Sequence, residues 1–177
     1  MAGYLDRIGA GKILMDPEPL SFDWLPNELV GRDDALGEIA SMFRGIESPN
    51  FSGRAIVIGP VGSGKTAIVR RFSDDLQKHL SDTRRILPVH INCRNHPTTS
   101  QVLQRIAQNL DHRHPERGFS PGEIIQSIRR NLQNSGKHML LVLDEVSVLL
   151  LREGDDLLYQ LLRIDEGREE VGTLSLI

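Results

Sequence analysis

One short segment constrains the fold of this chain more than any other. Residues 59–66 follow the order glycine, four residues, glycine, lysine and threonine, which is the pattern of a phosphate-binding loop, or P-loop. The apolar run Ala55-Ile56-Val57-Ile58 precedes the loop and a helical pattern follows it. Glycines permit backbone angles that other residues avoid, so successive N–H groups can converge on phosphate oxygens at a helix N-terminus. The segment therefore predicts a buried parallel strand, a P-loop and a helix, in that order.

The P-loop residues are the candidate nucleotide-binding residues. They are Gly59, Pro60, Val61, Gly62, Ser63, Gly64, Lys65 and Thr66. We expect Lys65 to neutralise the β- and γ-phosphates and the Thr66 hydroxyl to ligate Mg²⁺. The alternative interpretation is a glycine-rich turn with an exposed lysine.

A second motif supports the first. The apolar run Met139-Leu140-Leu141-Val142-Leu143 ends in Asp144 and Glu145, and a P-loop site needs a carboxylate at the end of a neighbouring strand to hold Mg²⁺ through its hydration shell. We expect Asp144 to orient the metal and Glu145 to polarise the attacking water. The alternatives are a strand-end turn or helix cap for the pair, and a solvated carboxylate for Glu145. An acid directly after the metal-orienting aspartate favours ATP hydrolysis over a small-molecule kinase.

Helical and strand patterns alternate along the chain. Helices are predicted at Arg32 to Phe43, Lys65 to Leu80, Thr99 to Leu110, Ser120 to Leu132 (opened by a capping box) and Leu157 to Ile164, and strands at 55–58, Ile86 to Asn92, 139–143 and from Thr173 onward. This alternation is typical of an α/β fold in which helices cover both faces of a parallel sheet, giving three αβα layers. Residues 1–23 contain scattered glycines and prolines and predict an extended arm before a core at 24–177.

Composition narrows the function classes. The 177 residues are 39% hydrophobic, which is enough for one buried core, and the formal net charge of −3 lacks the overall basic excess of many nucleic-acid-binding proteins. The net charge does not exclude a local basic face that binds nucleic acid. The apolar run 139–143 is far shorter than the roughly 20 residues that cross a bilayer, so we expect a cytoplasmic protein with no membrane partner. The single cysteine, Cys93, cannot form an internal disulfide and is interpreted as a small structural hydrophobe.

Three stretches of the chain resemble the archaeal origin-recognition and cell-division-control replication initiators, which are AAA+ ATPases. They are Leu25-Pro26-Asn27-Glu28-Leu29-Val30-Gly31-Arg32-Asp33, Ile91-Asn92-Cys93-Arg94, and Asp144-Glu145-Val146 followed by the run from Gly154 to Ile164. The order of the predicted elements is also similar to that of AAA+ proteins. The resemblance implies a nucleoid-associated switch, controlled by ATP or ADP with Mg²⁺, that binds double-stranded origin DNA and helps to load the replicative helicase.

The resemblance also implies residue roles. Candidates for the adenine pocket are Pro26, Leu29, Val30, Gly31 and Arg32, which otherwise form a plain loop into the first helix. Asn92 would restrain the catalytic Glu145, with Lys65 as the third catalytic residue, although a simple strand-end hydrogen bond from Asn92 is the alternative.

In the family, a helical insertion that contacts DNA matches residues 94–110 of this chain. The DNA-contact candidates are Arg94, Thr98, Thr99, Gln101 and Arg105, and an ordinary solvated helix face is the alternative for each. Two other function classes stay open. A different AAA+ or signalling ATPase would drive assembly or remodelling without origin DNA, and a kinase would need an arginine-rich lid that the sequence does not display.

The sequence departs from the family pattern at two places. Ser147 stands where many relatives carry a second acid, and the sequence stops at Ile177, where relatives continue to a γ-phosphate sensor, a fifth strand, an arginine finger, a helical lid and a winged-helix domain. We therefore expect a truncated AAA+ core with slow or undetectable ATP hydrolysis, because arginine fingers supply about 10³ to 10⁵ in rate. A missing fifth strand would also leave 55–58 as an apolar edge that favours self-association.

Overall fold

The computed structural model describes residues 16, 18–21, 24–26, 28–49, 51–166 and 174–177. Most of the predicted N-terminal arm lies outside these residues, as do Asn27 and Thr173. Within the arm, Glu18–Leu20 form one 3₁₀ turn. No helix in the described part of the chain is long and apolar enough to cross a membrane.

In the part of the chain that the structure describes, three parallel strands form the sheet at the centre of the fold. They are β1 (Ile86–Asn92), β2 (His138–Asp144) and β3 (Leu174–Leu176), in the spatial order β1-β2-β3. The register places Asn92 of β1 beside Asp144 of β2. β2 is buried along its length up to Leu143, as expected for a central strand that is covered on both faces. The predicted α/β fold with a parallel sheet is thus confirmed.

Six α-helices in the described residues cover the sheet. They are α1 (Asp33–Met42), α2 (Lys65–His79), α3 (Thr99–Leu110), α4 (Pro121–Ser135), α5 (Val146–Glu153) and α6 (Asp156–Leu162). The capping box predicted at the start of α4 is present, because Glu123 N donates to Ser120 Oγ at 3.4 Å and Ser120 N donates to Glu123 Oε2 at 2.8 Å. The helix continues three residues beyond the predicted end, and α5 was not predicted at all.

Two hydrophobic clusters fill the spaces between the sheet and its two helical layers. The first joins α3, α4, α5 and α6 to one face of the sheet, through residues such as Ile106, Ile128 and Leu141. The second joins α1 and α2 to the other face, through Phe43, Phe72 and Leu140 among others. Side chains of a strand alternate between the two faces of a sheet, so Leu140 and Leu141 belong to different clusters. The molecule therefore has the predicted three layers.

The predicted strand at 55–58 is the main correction to the fold. It is not a buried strand: Arg54 forms an isolated parallel bridge with Leu176, and Ile56 and Ile58 are 83% and 88% exposed. Ala55 and Val57, which alternate with them, pack against the second cluster. The physical reason is that β3, the strand beside this segment in the described part of the chain, is short. Hydrogen bonding between the two therefore stops after Ala55 N donates to Leu176 O at 2.9 Å.

A buried polar network fixes the segment that leads into the P-loop. Ser175 Oγ of β3 accepts a hydrogen bond from Gly53 N at 2.8 Å and lies 2.7 Å from Nε2 of His138 in β2. Ser175 and His138 are almost completely buried, where hydrogen bonds between polar groups avoid a desolvation penalty. The network therefore ties residue 53 to the sheet six residues before the P-loop begins.

Candidate functional site

The P-loop lies at the N-terminus of α2. Gly64 is the N-cap of that helix with φ of 86°, and Gly62 has φ of 78°, a left-handed region that residues with a β-carbon rarely adopt. The first turn of α2 carries no acidic side chain. Free N–H groups and the positive end of the helix dipole therefore face the loop, which is an arrangement that favours a bound anion.

The Lys65 side chain lies across this loop. Its Nζ donates hydrogen bonds to Gly59 O and to Pro60 O, both at 2.9 Å. The ammonium group is thus held beside the loop backbone, where a phosphate group would approach. This position suits the predicted role of Lys65 in neutralising phosphate charge.

The two predicted motifs meet at Thr66 and Asp144. Thr66 Oγ1 at the start of α2 donates to Asp144 Oδ2 at the end of β2, at 2.8 Å, although the residues are 78 positions apart. Hydroxyl and carboxylate oxygens are the ligands that Mg²⁺ prefers. No group of three or more histidine, cysteine or acidic side chains that could hold a metal occurs among the described residues.

Glu145 adopts an unusual backbone conformation. It has φ of 55°, the one positive φ of a non-glycine residue in the described chain, and it is the N-cap residue of α5. Left-handed backbone at a glutamate costs about 1 to 2 kcal/mol and often occurs at functional sites. The Glu145 amide N–H donates to Asp144 Oδ1 at 3.0 Å, so the turn also fixes the neighbouring carboxylate.

Asn92 lies beside this turn at the end of β1. Its Oδ1 accepts a hydrogen bond from Arg94 N at 2.9 Å, which closes the turn after the strand. Within the described chain, no hydrogen bond joins Asn92 to Glu145. A restraint of Glu145 by Asn92 therefore stays a prediction.

His90 is a site residue that the sequence argument missed. Its Nε2 lies 3.4 Å from Asp144 Oδ2, and its side chain is largely buried. Burial lowers the pKa of His90, the nearby Arg70 lowers it further, and Asp144 partly opposes both effects. The signal in the sequence is weak: strand alternation places His90 on the same face of the sheet as Asn92, two residues further on, but it does not show which residue of the next strand lies beside His90.

Comparison with known proteins identifies the fold family. A family model described as an AAA domain matches residues 52–177. The chain belongs to this family.

The AAA domain is also similar to curated archaeal initiators. An ORC1-type DNA replication protein from Methanothermobacter thermautotrophicus is 31% identical over 170 residues, covering 90% of this chain and 44% of the relative. A second, from Sulfurisphaera tokodaii, is 32% identical over 167 residues, covering 89% and 42%. The chain thus spans about two fifths of the length of the curated relatives it matches. The predicted resemblance to archaeal replication initiators is confirmed.

Solved structures of archaeal ORC proteins are also similar to this chain. The structure of the Aeropyrum pernix ORC1 protein in complex with DNA aligns with a TM-score of 0.77 and 29% identity, covering 89% of this chain and 40% of that one. The ADPNP–ADP complexes of the Aeropyrum pernix ORC2 protein align with a TM-score of 0.79 at 21% identity, covering 92% of this chain and 44% of that one. The second likeness concerns the fold alone.

The adenine-pocket candidates of the AAA domain separate into buried and exposed residues. Leu29 packs against the second hydrophobic cluster and Pro26 is partly buried, whereas Val30 is 89% exposed. Gly31 is also exposed. Arg32 Nη2 lies 3.9 Å from the position that a β-carbon on Gly64 would take, so this arginine reaches the P-loop. Their contact with adenine stays a prediction.

The DNA-contact candidates lie in the turn before α3 and along its first two turns. Two of them already have structural contacts: Thr98 Oγ1 accepts from Gln101 N at 3.3 Å as the N-cap of α3, and Thr99 N donates to Glu153 Oε2 at 2.5 Å. Arg94, Gln101 and Arg105 have exposed side chains. Arg105 also lines an open polar cavity of about 440 Å³ near the end of the helix. The exposed three are therefore the better placed for a partner.

Cys93 should be inert to thiol reagents in the folded AAA domain. The residue is fully buried, and burial, followed by the charge of Asp144, raises the pKa of its thiol to about 11. Relative to an unfolded cysteine, the thiolate fraction at pH 7.5 should fall by about 300-fold. Stopped-flow labelling with a chromogenic disulfide reagent, with and without urea, measures this. Labelling of the native protein at the unfolded rate would contradict the assignment of Cys93 as a core residue.

Proposed function

We propose that this AAA domain is the ATP-binding module of a DNA replication initiator. Such a protein binds origin DNA and helps to load the replicative helicase under the control of ATP binding and hydrolysis. The observation that carries the proposal is the 2.8 Å contact between Thr66 and Asp144 beside the P-loop, in a chain that is about 30% identical to ORC1-type DNA replication proteins.

The site residues support nucleotide binding as follows. The N–H groups at the start of α2 and the Lys65 ammonium would bind the phosphates of ATP or ADP. Thr66 and Asp144 would hold Mg²⁺, which neutralises charge on the phosphate oxygens when bound. Glu145 has an exposed side chain directly after Asp144 and would orient and deprotonate a water molecule for hydrolysis.

Two observations support double-stranded DNA as a partner. The Aeropyrum pernix ORC1 structure, with 29% identity, is a complex with DNA. In the present chain, Arg94, Gln101 and Arg105 are exposed around α3, and a net charge of −3 means that any DNA surface must be a local basic one. Contact with a replicative helicase is proposed from the similarity to initiators.

Calorimetry with Mg²⁺-ATP and Mg²⁺-GTP tests the nucleotide part, and we expect binding that is selective for ATP. Fluorescence anisotropy with labelled duplex DNA at two salt concentrations tests the DNA part. Binding that is led by phosphate contacts should weaken steeply as salt rises. Selective ATP binding without any DNA binding would instead favour an AAA ATPase that drives assembly or remodelling of other partners. Absence of nucleotide binding would overturn the proposal.

The exposed apolar residues before the P-loop should make the AAA domain self-associate. Ile56 and Ile58 are two residues apart and are 83% and 88% exposed. They lie at the border of the sheet, and unpaired backbone groups at such borders favour pairing between chains. Replacing both with serine should therefore shift the sedimentation profile of concentrated protein toward the monomer. Leu151→Ser, at an equally exposed leucine of α5, is the matched control. An unchanged distribution in the double variant would show that this border is not the contact.

A further inference from the structure

The two central strands place His90 next to the candidate metal carboxylate. In the parallel register, His90 lies beside Val142 and Asn92 lies beside Asp144. Residues that are two apart on a strand share a face of the sheet, so His90 and Asp144 both face the layer of α1 and α2. Thr66, at the start of α2, reaches the same carboxylate from above the sheet.

Among the described residues, three groups contact the two carboxylate oxygens of Asp144. Oδ1 accepts from Glu145 N at 3.0 Å, and Oδ2 accepts from Thr66 Oγ1 at 2.8 Å and lies 3.4 Å from His90 Nε2. An ionised carboxylate can only accept hydrogen bonds, so a bond with His90 requires the proton to be on Nε2. His90 is therefore the one of the three contacts that comes from the neighbouring strand.

We propose that His90 is a positioning residue that holds the Asp144 carboxylate in the orientation needed for Mg²⁺. This inference rests on the proposed nucleotide-binding function. Thr66 is itself a candidate metal ligand, so its hydroxyl would have to serve both Asp144 and the cation. The Glu145 N–H and the His90 Nε2–H are not candidate ligands, and each can hold one carboxylate oxygen with or without the metal.

Burial is the largest effect on the pKa of His90 and favours a neutral donor; Arg70 adds to this effect and Asp144 opposes it. The charged groups that act on the imidazole are Arg70 of α2 and Asp144 of β2. A neutral imidazole donates through Nε2 without adding a positive charge beside a bound cation, whereas a lysine or arginine at the same place would repel Mg²⁺. The strand position thus supplies a hydrogen bond and leaves the negative charge of Asp144 available to the metal.

Nucleotide affinity with and without Mg²⁺ tests the proposal. We expect His90→Phe to weaken ATP binding about threefold to tenfold in Mg²⁺, as for the loss of one ordinary hydrogen bond, because the contact with Asp144 is long at 3.4 Å; we expect no change in EDTA. His90→Gln places an amide N–H near the position of Nε2 and should restore most of the affinity. His79→Phe, at an exposed histidine near the end of α2, is the matched control. An equal loss in EDTA, or unchanged affinity in both conditions, would overturn the proposal.

A nucleotide-free measurement separates this inference from the proposed function. In ¹⁵N NMR spectra of the wild-type chain, we expect the Nε2–H tautomer of His90 and slow exchange of its proton, and faster exchange in Asp144→Ala. The Nδ1–H tautomer would overturn the role of His90 even if ATP binds well. Conversely, a wild-type chain that binds no nucleotide would remove the proposed function, while the spectra would still report whether His90 donates to Asp144.

Discussion

Replacing Lys65 with alanine should weaken Mg²⁺-ATP binding by at least about 100-fold, because each hydrogen bond to a charged group contributes about 1.5 to 3 kcal/mol. The Lys65 ammonium is held across the P-loop by Gly59 O and Pro60 O at 2.9 Å. It can exchange these two carbonyl contacts for phosphate oxygens without leaving the loop. Alanine keeps the start of α2 helical, since it has the highest helix propensity. Isothermal titration calorimetry of both proteins with ATP measures the loss.

The same helix supplies the control. Lys78 lies in the last turn of α2, where it is exposed and far along the helix from the loop. Lys78→Ala should bind ATP like the wild type, and both variants should give the wild-type circular dichroism spectrum. If Lys65→Ala bound ATP within about threefold of the wild-type affinity, the prediction that Lys65 binds the phosphates would be wrong.

The contact between Thr66 and Asp144 could be expected from the sequence because both residues are fixed by local rules. A P-loop places Thr66 at the start of a helix, and a buried apolar run places Asp144 at the carboxyl end of a strand. In a parallel sheet the carboxyl ends of strands lie at one edge. The two motifs therefore meet at this edge, although β3 lies between β2 and the segment that leads into the P-loop. The observed separation of 2.8 Å agrees with that argument.

Features that depend on non-local neighbours could not be read in the same way. The apolar composition of residues 55–58 predicts burial, but Ile56 and Ile58 are exposed because burial depends on what covers the sheet there. Likewise, α5 follows directly on Glu145, and its leucine-rich sequence, without a glycine or proline break from the preceding strand, gave no separate helix signal. His90 contacts Asp144 only through the register of β1 on β2, which a single sequence does not fix.

Replacing Leu141 with alanine should destabilise the AAA domain by about 2 to 5 kcal/mol. Leu141 is fully buried in the central strand, and its register partners are Val89 of β1 and Leu176 of β3. Removing most of its side chain leaves a cavity in the first hydrophobic cluster, because the neighbouring strands are held by their hydrogen bonds and cannot collapse fully. The free energy of unfolding of folded proteins is about 5 to 15 kcal/mol, so this loss is a large share of the total stability. Urea unfolding followed by circular dichroism measures it.

The chain offers a leucine that differs from Leu141 chiefly in burial. Leu151 of α5 is 90% exposed, and Leu151→Ala removes the same atoms from a helix surface, where alanine is well tolerated. Its effect should stay within about 0.5 kcal/mol. Since both changes are leucine to alanine, the difference between them isolates the contribution of packing beside the strand that carries Asp144. A small effect at both positions would mean that β2 is not the centre of the core, and the placement of Asp144 at its end would then need another explanation.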